Sequence, residues 1–125
     1  MGTTQPIRNK DELMAFRMYY KDIRPNNRNY CLIVMGLNTA LRISDLLRLK
    51  WDNVYNFKHH EFRTHFLINE QKTGKNNYVT LNYNATDALK DYFNERNPND
   101  HEFIFTKNTC RYQPISRTQA YRIVK

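Results

Sequence analysis

The chain is 125 residues long with a formal net charge of +8, which allows one hydrophobic core and favours a polyanionic partner over an acidic or neutral one. It holds only three glycines and two cysteines, so a Gly-rich phosphate loop and a metal or redox pair of thiols are both excluded, and the simple reading of Cys31 and Cys110 is reduced thiols. No apolar run is long enough to span a bilayer, Met1-Gly2-Thr3-Thr4 carries no signal-peptide pattern, and there is no internal repeat.

In chain order, Asn9-Lys10-Asp11-Glu12 reads as a capping-box helix start. Leu13, Phe16 and Tyr20 come next at helical spacing, and Pro25-Asn26-Asn27 ends the segment. A second helix is expected from Arg28 to Asn38, apolar almost all round and therefore central to the domain. A third begins near Arg42 and stops near Trp51. Leu46 and Leu49, four and seven residues on, then share a face with Arg42, and Asp45 can be one partner for its guanidinium. An arginine among leucines, with a tryptophan closing the segment, suits a planar, permanently charged fork held rigidly against a phosphate.

After Trp51 the chain turns to short β-branched and aromatic runs, namely Val54–Phe57, Phe62–Ile68 and Tyr78–Leu81. Phe62, Thr64, Phe66 and Ile68 alternate with Arg63, His65 and Asn69, Leu67 being the exception, and Lys72-Thr73-Gly74-Lys75-Asn76-Asn77 makes a turn. The expectation is a small antiparallel sheet of three strands. A further helix opens at Asn84-Ala85-Thr86-Asp87, buries Ala85, Ala88, Leu89, Tyr92 and Phe93, and is closed by Pro98. Phe103-Ile104-Phe105 is strand or extended. Ser116-Arg117-Thr118-Gln119 is another capping box, with Ala120, Ile123 and Val124 after it on one face. That helix reads as cut off at Lys125, with Ile123 and Val124 left uncovered or covered by a second copy of the chain. The fold class is α+β and mostly helical, in one domain across residues 1–125.

Two groups stand out as phosphate ligands: Arg42, and Lys72 at a hairpin tip, where it and Lys75 flank Thr73-Gly74 and can reach into a groove. His59, His60, His65 and His101 offer no convincing set of metal ligands. Cys110 has no placed base, and Tyr19, Tyr20, Tyr30 and Tyr92 fit helix faces as core or rim residues.

Ala40-Leu41-Arg42-Ile43-Ser44-Asp45-Leu46-Leu47-Arg48-Leu49-Lys50-Trp51 resembles the first catalytic box of the tyrosine recombinases, the phage-integrase family, which reads roughly Gly-Leu-Arg-x-Ser-Glu-Leu-x-x-Leu-x-Trp. The order of the later segments matches as well: a small sheet, a hairpin lysine, a helix, Phe103-Ile104-Phe105 and a new helix at Ser116. Ala40, Asp45 and Asn53 depart mildly from the family's usual Gly, Glu and Asp. The family's His-x-x-Arg box and nucleophilic tyrosine have no counterpart in this chain, so no nucleophile is assigned, and the chain alone is expected to be inactive.

The resemblance implies the N-terminal portion of a helical recombinase catalytic domain. The full enzyme would cleave and rejoin double-stranded DNA through a 3′-phosphotyrosyl link, self-associating on DNA and using neither metal nor cofactor. It implies catalytic roles for Arg42 and Lys72, a supporting role for Asp45, DNA contacts from Lys75 and Arg117, and a cytoplasmic, nucleoid-associated protein of bacterial or phage origin. Rival readings are a DNA-binding module without catalysis and, less well matched in the arginine box and its spacing to the hairpin lysine, a type IB topoisomerase relative.

Overall fold

Among the described residues, asparagine side-chain caps open both long helices. The computed structural model describes residues 26–69, 72–107 and 110–124, and the helix expected after Asn9 lies outside them. Helix α1 (Asn27–Thr39) begins where the Asn26 side chain accepts the Asn29 N–H at 3.0 Å. At its other end Asn38 Nδ2 and Thr39 Oγ1 donate back to the carbonyls four residues earlier, Val34 and Met35, at 2.8 and 2.7 Å, in addition to the helical ladder. Its run from Cys31 to Gly36 is buried on every side. The helix stops at Ala40, which adopts a left-handed φ of 58°. Glycine takes that conformation at no steric cost, and alanine does not.

The segment expected as one helix from Arg42 to Trp51 is instead two short helices with an extended link. Arg42 is the extended residue before α2 (Ile43–Leu46), and α3 (Trp51–Val54) starts afresh. Between them, Leu49 to Trp51 pairs with the segment around Phe103. Trp51 N–H donates to the Glu102 carbonyl and Ile104 N–H to the Leu49 carbonyl, both at 3.0 Å, across a Lys50–Phe103 bridge. Only Leu46 therefore keeps the helical relation to Arg42 expected for both leucines. Asn53, where the family often has Asp, caps α3 by accepting the Lys50 N–H at 2.9 Å.

The expected three-stranded sheet is two hairpins in succession. Strand β1 (Tyr55–Asn56) pairs with β2 (Glu61–Phe62), and β3 (His65–Asn69) with β4 (Asn76–Thr80). The chain bends at Arg63 and Thr64, each of which makes one further backbone bond, Arg63 to Val54 and Thr64 to Leu81. In β3, Phe66 and Ile68 point inward while His65, Leu67 and Asn69 face out, the two-residue period of a half-buried strand. Leu67, the exception to the sequence alternation, is 59% exposed beside Tyr78 at 60%.

Helix α4 (Tyr83–Arg96) is capped by Asn82 rather than Asn84 and ends at Asn97, with φ 48°. It runs antiparallel to α1 and packs along it. Hydrogen bonds tie both ends of the pair, Asn82 to Asn38 at 2.7 Å and Asn27 to Glu95 at 2.9 Å. A third hairpin, β5 (Thr106–Lys107) with β6 (Cys110–Pro114), precedes α5 (Arg117–Val124), whose first turn is capped by Ser116 Oγ at 3.0 Å from the Gln119 N–H.

The core gathers around Trp51, fully buried, with the rings of Tyr92 and Phe93 each 5.5 Å from it. Phe93 in turn contacts Tyr55, Phe57 and Phe62, so one aromatic cluster fastens the first hairpin to α4. Ile123, expected to be uncovered or covered by a second copy, is 5% exposed and belongs to this core, because α5 of the same chain packs against α2. Desolvation, and after it the charge of Asp91, pushes the Cys31 thiol far above its usual range, which makes it an inert apolar core residue.

Two consequences are measurable. Ala40→Gly removes the left-handed strain and should raise stability by about 1 kcal/mol in urea unfolding, offset in part by the freer unfolded glycine chain. Burial, only partly opposed by the positive charge of Arg96, pushes the Tyr92 hydroxyl up to about 12. Since this lies above the unfolded value of about 10, the folded chain holds the proton more tightly. The contribution is whole below pH 10 and is lost as pH rises through about 12, a decline of roughly 2–3 kcal/mol. Unfolding measured from pH 9 to 12 should show a shallower alkaline decline for Tyr92→Phe than for the parent.

Candidate active site

Arg42 sits where the α1–α2 link becomes helix. Its backbone is extended, with φ −69° and ψ 153°, and its carbonyl accepts from the N–H groups of Asp45 and Leu46, both at 3.0 Å. Leu41 and Ile43 on either side are 2% and 1% exposed, so the backbone carrying Arg42 is clamped by core packing on both flanks. The side chain itself is half-buried, with Nε fully buried. A guanidinium whose root is fixed this way loses little further freedom when it meets an anion.

Asp45 is 1% exposed, and a buried carboxylate demands compensation. Part of it comes from Arg48, whose Nη2 lies 2.8 Å from Asp45 Oδ1. The same nitrogen donates to the backbone carbonyl of Asn69, the last residue of β3. Asn69 continues the chain of contacts into the hairpin turn, its Nδ2 donating to the Gly74 carbonyl at 3.0 Å and to Asn76 Oδ1 at 3.3 Å.

Lys72 and Lys75 are both exposed on that turn. The Thr73 hydroxyl accepts the Lys75 N–H at 3.2 Å, and Gly74 takes a φ of +72°, a value that strains any residue with a β-carbon. The two ammonium groups thus project from a turn braced by Asn69 and Thr73. Arg117 is exposed on the first turn of α5, away from this hairpin in sequence but joined to the Arg42 region by the packing of α5 on α2.

Of the residues singled out in the sequence, Asp45 and the Lys72 turn are therefore connected, through Arg48 and Asn69. Neither connecting residue was singled out there. The i,i+3 spacing of Asp45 and Arg48 is a legible helix-pair signal; the reach to Asn69 has no local signal, because it depends on where β3 ends against α2. Cys110 is half-buried, and His59, His60 and His101 are exposed. His65 stacks on Tyr78 at 4.7 Å. Among the described residues no three His, Cys, Asp or Glu side chains group so as to hold a metal ion, and no helix is long and apolar enough to cross a membrane.

The sequence and the fold of the chain both have counterparts among known proteins. The sequence profile of the phage integrase family matches residues 9–125. A probable integrase/recombinase of Bacillus subtilis, YoeC, is 33% identical over the whole chain, which spans 63% of that protein's length. The TnP I resolvase of Bacillus thuringiensis is 31% identical over 102 residues, covering 80% of this chain and 34% of the resolvase. In structure, the XerA recombinase superposes with a TM-score of 0.67 at 20% identity, over 97% of this chain and 41% of the recombinase, so the two share a fold. With its arginine box, its mixed helical and hairpin architecture and a family match over nearly its full length, the chain belongs to the phage integrase family, the tyrosine recombinases.

Proposed function

We propose that the chain supplies the phosphate-binding arginine and the general-acid lysine of a site-specific DNA recombinase, as the N-terminal portion of its catalytic domain. The observation that carries this reading is the placement of Arg42. Its backbone is locked between buried Leu41 and Ile43 at the start of a helix, while its side chain stays half open to solvent.

In the reaction, a tyrosine hydroxyl attacks a DNA phosphodiester, the 3′-phosphotyrosyl bond forms and the 5′-oxygen leaves. Negative charge accumulates on the non-bridging oxygens of the pentacoordinate transition state. Arg42 meets these oxygens with a charge that needs no reorganisation at the moment of reaction. Lys72, on a turn able to reach into a groove, gives its proton to the departing 5′-oxygen. Asp45 keeps the turn after Arg42 in place, and Lys75 and Arg117 contact the DNA backbone. No tyrosine of this chain is assigned the nucleophile's part. Self-association on DNA and a place at the nucleoid belong to the same proposal.

A nicked suicide duplex, selected by covalent capture from a randomised pool with the full-length enzyme, separates the two cations. Arg42→Ala should slow cleavage by about 10²–10³-fold whether the leaving atom is oxygen or sulfur. Lys72→Ala should slow cleavage of the oxygen substrate by about 10²–10⁴-fold and recover most of it on the 5′-thiol substrate, since a thiolate departs without a proton. Equal losses on both substrates, together with weaker binding, would reduce Lys72 to a backbone contact.

Charge makes a separate demand. Non-specific duplex binding should show a dissociation constant of about 10⁻⁴–10⁻⁶ M at physiological salt and weaken steeply as salt is added. Lys75→Ala and Arg117→Ala should each lower the slope of log K against log salt by about 1, for any duplex sequence. Slopes equal to the parent's would remove both residues from the interface.

A further inference from the structure

We propose that Arg48 is a positioning residue that fixes the Lys72 hairpin relative to the Arg42 turn. This role deepens the proposed function and rests on the parts given there to Arg42 and Lys72.

The Nη2 nitrogen of Arg48 carries two hydrogens and faces two acceptors, Asp45 Oδ1 at 2.8 Å and the Asn69 carbonyl. Those acceptors belong to the two parts of the site. Asp45 lies one turn beyond Arg42, and its N–H is bonded to the Arg42 carbonyl at 3.0 Å. Asn69 closes β3 across from Asn76, and its Nδ2 holds the Gly74 carbonyl two residues from Lys72. A short path of hydrogen bonds thus runs from the backbone of Arg42 to the turn that bears the lysine.

An ordinary surface ion pair would do little, because solvent screens it and two long side chains must be ordered. Here one partner is a carboxylate with only 2% of its side chain exposed, while the Arg48 side chain is 40% exposed. The buried charge keeps the guanidinium at home, and the guanidinium keeps hold of a carbonyl on the neighbouring element. Its planar fork suits that double duty better than the compact ammonium of lysine. The two reacting cations must meet different oxygens of one phosphate, and a displacement of about 1 Å between such groups costs about 10²-fold in rate. A hairpin anchored by Arg48 where β3 enters the turn leaves the Lys72 side chain mobile while its root is fixed.

The test uses the full-length enzyme and the captured suicide duplex, in oxygen and 5′-thiol forms. Arg48→Met keeps the aliphatic stem and removes the fork. It should speed amide exchange at the Asn69–Asn76 end of the hairpin by roughly tenfold, with the Phe66–Val79 pair unchanged. It should slow cleavage of the oxygen duplex and recover on the thiol duplex, as Lys72→Ala does, and Arg48→Lys should fall between parent and Arg48→Met. Unchanged exchange at the hairpin end would overturn the inference. So would a cleavage loss equal on both duplexes in a background where Lys72→Ala is rescued, since that pattern marks general destabilisation. Failure of the thiol duplex to rescue Lys72→Ala would instead overturn the acid role of Lys72, and with it the catalytic half of this inference.

Discussion

Leu49, Lys50 and Trp51 leave the helical path to hydrogen-bond with the segment around Phe103, and much of the site depends on that exchange. Extending α2 through these residues would satisfy the same backbone groups locally. It would also forfeit the two bonds to Glu102 and Ile104 and the placement of Trp51, which is fully buried against Tyr92 and Phe93. Losing a buried tryptophan from a core costs about 3–5 kcal/mol, more than the few tenths per residue by which helix propensities differ. The long-range pairing wins. Its consequence is that Arg42 stands just before a four-residue helix, with core leucine and isoleucine on either side, rather than along the flank of a long one.

A division of labour between rigid and mobile parts arises from that placement. Arg42 draws its rigidity from burial: its neighbours are immersed in the core and its carbonyl takes two N–H groups. Lys72 has none of this, being exposed at the tip of a hairpin whose outer face carries Leu67, Tyr78 and Asn69. A group that neutralises charge works best when preorganised, whereas one that delivers a proton must be able to reach its target. Arg48 lies between the two regimes, bound to a buried carboxylate on one side and, on the other, to the last residue of β3 where the hairpin turn begins.

The departures from the family box have physical readings in this fold. Ala40 occupies a left-handed position that explains the family's usual glycine, since only glycine adopts φ 58° without steric cost. Asp45 is shorter than the common glutamate, and it still reaches Arg48 three residues on because both face the same side of one helical turn. Asn53 retains the capping function that an aspartate would perform, with its carbonyl oxygen on the Lys50 N–H.

The residues alone were enough for the α1 helix, the α4 core face, the Ser116 cap and the inward alternation of Phe66 and Ile68, because each is written in local periodicity or in a side chain bonding its own backbone. Arg42 and Lys72 were legible as candidates for a related reason: an arginine among leucines and a lysine beside a turn glycine are local anomalies. Tertiary contacts decided the rest. The break after Leu46, the division of the expected sheet into two hairpins and the burial of Ile123 all depend on partners far along the chain. The link from Asp45 through Arg48 to Asn69 belongs with them. Arg48 and Asn69 are 21 residues apart, and no periodicity within either segment specifies where the end of one strand will lie against the end of one helix; packing of the two against a shared core does.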